Sequence, residues 1–565
     1  MPAQLPDDVT ERIKRVMRGV RSFGVGQDRA AVAADITTLK NFLDRVRASD
    51  IFRSTQLLQA ISLIFDHDDQ RGRAFYDKLV DVAKYIQDER KKGGLQRFFG
   101  SISDAREQDK WIRQIIWVLM AYALHHHREN DLPQMGKILQ TAGDLLEKEF
   151  ETKYPHPGTR SRLAYYRGLQ LRDQGLEGAT ESFLESFEYA RQRPSDEDVE
   201  AAFSRACLAR IQAFGFGEIA FLRGDHTGAL AWFRTALCTL EGVGLDRWKL
   251  AVKVYLHASE TLNSTWTEEG RAITENAQKE LKTLAASLQE LHPGYSALAR
   301  AFSNLALVRL QQMKESDDGD VWLVVGEKPN LDLQTENAAN QRSHGAVSAL
   351  TSLMNAQIYL RIGEESFCQR EIHRIKARYK SNSFVQLEAD LLHAQLLMWK
   401  ENWSEAESIL NRDVGLESQA NRPQRALWLA LASLVQSQLG RALPAHVLAD
   451  RAGATGALVR DGFVRYMTKH AHRHAHSQKT ALLAMPYQSD PPILLVLENV
   501  RAALINTIET ARQREGVDRF ETMEKLFAVL GTTRSTFYIS DEKLKKFRED
   551  VLELINETFI ARGAA

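Results

Sequence analysis

Cysteine is scarce in this chain: three residues, Cys207, Cys238 and Cys368, stand far apart in 565. That spacing excludes a disulfide framework and predicts free thiols buried in helices within a reducing compartment. Proline is also sparse, at 13, so little interrupts helical segments. A charge surplus is missing, since 74 Lys and Arg balance 74 Asp and Glu. No global field therefore draws the molecule to nucleic acid or to an anionic membrane, and any such contact must come from a local patch. The longest apolar runs, Ile115 to Leu124 and Ala426 to Ala432, fall well short of the roughly 20 residues that a membrane helix needs. The opening Met-Pro-Ala-Gln-Leu-Pro-Asp-Asp lacks the basic-then-apolar order of a secretion signal. Together these absences predict a cytoplasmic protein without a membrane partner. Walker-type phosphate loops, dinucleotide fingerprints and Gly-rich turns around a cysteine are absent too. The expected role is non-enzymatic, with no cofactor and no bound metal; a metal- or thiol-dependent enzyme is the alternative left open, because His and Cys side chains distant in sequence can meet in space.

What is present is helix-forming sequence, long stretches rich in Ala, Leu, Glu, Arg and Gln. A chain of this length exceeds one ordinary core, so it forms either several domains or an array of units that touch only their neighbours. The stretch from Gly217 to Leu237 points to the array. Gly217, Gly224, Ala229, Phe233 and Ala236 fall at fixed intervals. Small residues at Gly217 and Ala229 let two antiparallel helices approach closely, Gly224-Asp225 ends the first helix, and Phe233 and Ala236 bury against the next unit.

This pattern resembles the tetratricopeptide repeat (TPR). Weaker copies occur at Gly168, Gly175, Ala179 and Phe183, at Ser296 to Leu310, at Gly363, at Ala394, Trp399 and Ala406, and around Gly440 and Ala445. The resemblance covers about residues 160 to 455. It implies an all-α, TPR-like α-solenoid of antiparallel helix pairs: a helical region at 1–153, a superhelix at 154–460 with an insertion at about 314–344, and a helical cap at 461–565. It also implies a scaffold or adaptor that holds a protein or peptide partner in a concave groove lined by the first helix of each pair. By the repeat registers that places Arg162, Tyr165, Arg172, Arg300 and Asn304 in the groove. Arg300 and Asn304 look like the residues that grip an acidic peptide terminus in carboxylate-clamp members of the family.

Other clusters have simpler readings. Arg12, Lys14, Arg15, Arg18 and Arg21 read as a solvated basic helix face. Asp66-His-Asp-Asp69 lacks the Gly and Glu that a calcium loop requires, and fits a helix cap. Gly93 to Ser103, with adjacent Phe98 and Phe99, reads as a loop folded onto the core. His470, His472, His474 and His476 form two i,i+4 pairs on a helix, but without an intervening Glu or nearby Cys they suggest a pH-sensitive basic surface rather than a metal site. Near the carboxyl end, Met523 to Ile539 resembles a bacterial helix-turn-helix. It implies an alternative role as a sensor that touches DNA through Arg534, Ser535, Thr536 and Tyr538.

Overall fold

The computed structural model describes residues 7–477, apart from 22–28, 68–72, 130, 150–156, 175, 177, 193–197, 242–245, 290–291, 316–324, 326–327, 332–344, 381–382 and 412–420. Every regular element among the described residues is a helix. The chain divides into two compact units, residues 1–314 with 325–389, and 315–324 with 390–565. The helices before and after residue 153 therefore belong to the same unit.

Unit 1 begins with α1 (Asp7–Arg21) packed on α2 (Arg29–Leu43) and α4 (Thr55–His67). The basic face of α1 is exposed at Lys14 and Arg15 and half-buried at Arg12; Arg12 and Arg15 both donate to the buried Asp35 at 2.8 Å, and Lys14 pairs with Glu11. Residues 94–100 form a short helix, α6 (Gly94–Gly100), rather than a loop. Phe99 is buried there, and the Phe98 ring meets Trp111 edge-on at 5.0 Å. The long helix α7 (Ala105–Arg128) is started by Asp104, whose side chain accepts from the Arg106 amide. It packs against α4, α5 (Arg73–Lys91), α8 (Leu132–Asp144) and α9 (Pro157–Gln174).

From α9 onward the helices come in hairpins: α9 with α10 (Ala179–Arg191), then α11 (Asp198–Ile211) and α12 (Glu218–Leu222) with α13 (His226–Thr239), then α14 (Asp246–Asn263) with α15 (Glu268–Leu288). α11 runs into α12 through a π-helical turn at Gln212–Gly217. The small residue at Gly217 does allow a close approach, and what fills it is Phe233 of the same hairpin. An added methyl at Gly217 would lie 2.6 Å from the Phe233 ring, and one at Gly168 would lie 2.7 Å from Phe183. Phe233 also reaches the next hairpin, stacking on Tyr255 of α14 at 5.4 Å and 17°. Further along unit 1 come α16 (Pro293–Glu315), α17 (Gly345–Arg361) and α18 (Glu365–Arg378). Within the expected insertion, Val325 is buried and its amide donates to the Arg361 carbonyl at 2.8 Å.

Unit 2 holds the end of α19 (Ser383–Trp399), followed by α20 (Trp403–Asn411), α21 (Arg422–Gln438), α22 (Ala442–Gly456) and α23 (Gly462–Ser477). The last three pack mutually, with Ala445, Ala449 and Ala475 buried at their contacts. Asn421 and Gln424 form a reciprocal capping box at the start of α21.

One turn recurs in both units. Gly224, Gly363, Glu401 and Gly440 all have φ between 59° and 75°. At each, the left-handed residue donates back three residues and its successor donates back five: Gly224 to Phe221 and Asp225 to Ala220, Gly363 to Leu360 and Glu364 to Tyr359, Glu401 to Met398 and Asn402 to Leu397, Gly440 to Ser437 and Arg441 to Gln436. This is the Schellman closure, which satisfies the last carbonyls of the first helix. The successor also opens the second helix, with φ/ψ of −82°/70° at Asp225, −93°/73° at Glu364 and −96°/74° at Arg441.

Two stability predictions follow from this geometry. Gly217→Ala drives a methyl into Phe233 and is expected to cost about 1–3 kcal/mol in urea unfolding, with partial recovery in Gly217→Ala/Phe233→Leu; a wild-type midpoint for the single variant would show that the contact yields freely. At the turns, Gly440 has open space around it, so Gly440→Ala isolates the backbone cost and should destabilise by about 1 kcal/mol. Glu401→Gly should raise the midpoint, and a fall there would contradict the strain assigned to Glu401.

Candidate partner-binding surface

The first helices of successive hairpins bring arginines and aromatic rings together. On α9, Arg162 is half-buried, with its guanidinium 4.6 Å from the Trp117 ring centre of α7 and 5.5 Å from that of Tyr166; its Nε donates to the Tyr166 hydroxyl at 3.0 Å. Tyr165 is buried, 5.7 Å from Tyr166 and 5.7 Å from Phe183 between ring centres. Arg210, in the last turn of α11, lies 4.9 Å over Tyr165 and 5.1 Å over Trp248 of α14. These contacts join α7 and three first helices, α9, α11 and α14, through alternating cations and rings, each held by the attraction of a guanidinium to a π-face.

A buried ionic cluster joins the same helices. Arg172 donates from Nε to Asp173 Oδ1 at 2.6 Å, and from Nη1 to the Phe214 carbonyl at 2.8 Å and to Glu218. Asp173 also meets His127 Nε2 at 2.6 Å. All four charged or titratable side chains are buried. The π-helical turn is what presents the Phe214 carbonyl to the guanidinium, and α12 places Glu218 one turn further on. Burial alone would raise the Asp173 carboxyl, but the Arg172 charge and the His127 hydrogen bond outweigh it and hold the group below the ordinary carboxylate range. For Glu218 burial prevails over Arg172 and the carboxyl is pushed up. Burial likewise raises the Tyr255 phenol, reinforced by the adjacent Glu218 charge. Tyr165 is raised by burial too, against the pull of Arg210.

The residues expected from sequence are thus distributed unevenly. Arg162 and Tyr165 sit in the arginine-aromatic row. Arg172 is buried, with its charge already matched by Asp173 and Glu218. Arg300 is half-buried and Asn304 buried, four residues apart on α16. The candidate DNA-contacting residues Arg534, Ser535, Thr536 and Tyr538 lie outside the described residues, as do Asp68 and Asp69. Sequence reasoning missed Arg210, Trp117 and Trp248, which meet only through tertiary packing. It also missed His127, whose partner Asp173 lies on another helix.

The remaining candidates are resolved by their surroundings. His470 and His474 stack at 6.3 Å on one face of α23, His474 is 3.3 Å from Gln438, and His472 lies 3.5 Å from Asp450. Among the described residues no group of three or more His, Cys, Asp or Glu side chains is placed to share a metal ion. The expectation of three buried thiols needs correcting: Cys368 is buried, Cys207 half-buried and Cys238 exposed, because Cys238 falls on the outward side of α13 while Phe233 and Ala236 take the inward positions. Burial pushes the Cys368 thiol up to about 12, leaving it protonated and a poor nucleophile. No helix among the described residues is long and apolar enough to cross a membrane. A scan against protein-family models and a search of curated proteins both return no match.

The cluster predicts an order of stability losses. Asp173 has a depressed folded pKa, so its contribution is complete above its unfolded value of about 4 and is lost as the pH falls through the lower folded value. Asp173→Asn, which leaves Arg172 under-compensated, is expected to cost about 3 kcal/mol at neutral pH and to flatten the decline of stability below about pH 4. Glu218→Gln should cost less, because burial already disfavours its charged form. Urea unfolding from acid to neutral pH measures both, and equal losses would reject this assignment of charge.

Proposed function

We propose that the chain is a non-enzymatic helical-repeat scaffold of TPR type, which holds a protein or peptide partner along the first helices of its hairpins. On this reading the hairpins within a unit stack side by side as an α-solenoid, and the protein works in the cytoplasm. The observation that carries it is the repeated unit itself: a left-handed turn closed by the same pair of hydrogen bonds, and a phenyl ring seated on a glycine. Phe233 reaching Tyr255 and Phe183 reaching Phe216 at 6.2 Å support stacking, since each ring on a second helix meets the first helix of the following hairpin. Repetition of this kind leaves a row of first-helix side chains in register, suited to an extended ligand. Arg162, Tyr165, Arg210 and Trp248 are the residues we place on that row, while Arg172 acts beneath it as a brace between hairpins. Arg300 and Asn304 continue the row by register alone.

Cross-linking of the full chain to partners captured at native abundance, followed by mass spectrometry, tests this. Cross-links should concentrate on α9, α11, α14 and α16. Cross-links confined to second helices, or a folded chain that captures nothing, would count against the scaffold.

A further inference from the structure

Two arginines of unit 1, Arg210 on α11 and Arg113 on α7, are held without a carboxylate. Arg210 is sandwiched by Tyr165 and Trp248, and among the described residues no acidic side chain pairs with it. Arg113, one turn before Trp117 on α7, has no ion pair among the described residues, and its buried Nε has no hydrogen-bond partner there. Residues four apart on a helix share a face, so Arg113 and Trp117 lie together. Arg162 stacks on Trp117 from the neighbouring helix.

A guanidinium stacked on a ring keeps its in-plane N–H edge for a second ligand, and that edge matches a carboxylate with two parallel hydrogen bonds. With 74 acidic and 74 basic residues overall, attraction to an acidic ligand here is local rather than global. Arginine occupies one face of each of the Tyr165, Trp248 and Trp117 rings, and Tyr165 is itself buried, which reduces the aromatic surface on which nucleic-acid bases could stack and favours a peptide.

We propose that Arg210, held between Tyr165 and Trp248, together with Arg113 beside Trp117, reads the side-chain carboxylates of an acidic peptide segment. This deepens the scaffold reading and rests on it. Recognition goes through side chains within the segment, so it needs no free chain end.

The test is fluorescence anisotropy with the full chain and a labelled peptide of alternating Glu and Gly, both termini blocked, beside its Gln counterpart and a poly-dT strand. The Glu peptide should bind and weaken as salt is raised, while the Gln peptide should not bind. Arg210→Gln should lower affinity roughly tenfold, the loss of one charge-assisted contact. Arg210→Lys should also lose affinity, because an ammonium lacks the planar fork. If Arg210→Gln unfolds, Arg113→Gln serves instead and should weaken binding several-fold. Equal binding of the Gln peptide, wild-type affinity in folded arginine variants, or preference for poly-dT would overturn the proposal. If cross-links place a partner on the first helices but the Glu peptide does not bind, this inference falls and the scaffold stands; if neither is seen, both fall.

Discussion

The approach of Gly217 to the Phe233 ring is the constraint on which the hairpins depend. Two helices can lie this close only where one of them carries no side chain, and the space released is filled by the ring of the other. Fixing Phe233 fixes more than one hairpin, because the same ring is stacked on Tyr255 of the next. The same logic operates at Gly168 and Phe183. Each ring is thus a contact within its own unit and a spacer for the following one, so local sequence propagates into relative placement. The left-handed turn completes the arrangement by ending the first helix without leaving its last carbonyls unsatisfied.

Once the hairpins are spaced, the polar cluster acquires its geometry. The π-helical turn at Gln212–Gly217 carries two glycines, Gly215 and Gly217, against Phe183 and Phe233 respectively, and it also offers the Phe214 carbonyl to Arg172. Apolar spacing and ionic bracing therefore meet in one short segment. Buried ion pairs repay their desolvation poorly, so the cluster is better understood as fixing register among α7, α9 and α12 than as a source of net stability. The opposite shifts of Asp173 and Glu218 agree with that view: Asp173 receives both Arg172 and His127, whereas Glu218 shares Arg172 and lies beside Tyr255.

Much of the hairpin architecture was legible in the sequence because it rests on residue size at fixed spacing. Gly217, Gly224, Ala229, Phe233 and Ala236 could be assigned from intervals alone, and the structure seats them accordingly. The turn at Glu401 was harder to see, since Glu occupies a left-handed position usually taken by glycine. The π-turn was invisible, because a widened helical turn keeps the apolar pattern of an ordinary helix. The site was only partly readable. Arg162 and Tyr165 follow from register, but Arg210 meets Tyr165 from another helix and Trp248 from a third. Pairings across separations of this kind leave no periodic trace. The buried state of Arg172 was likewise hidden, since its neighbour Asp173 and the distant Glu218 and His127 converge only after folding.

Arg172 and Arg210 show how the environment of one side-chain type decides its use. Both extend from first helices, and both are removed at least partly from water. Arg172 is surrounded by acceptors: a carboxylate on either side and a backbone carbonyl. Its donors are spent inside the fold, and withdrawing one partner would strand a buried charge. Arg210 is held instead by the faces of two rings, which stabilise the cation while accepting none of its in-plane hydrogen bonds. An aromatic cradle fixes the orientation of a guanidinium and leaves its directional capacity unspent. Rings as its partners leave the donor edge of Arg210 available, and its proposed recognition role rests on this difference from Arg172.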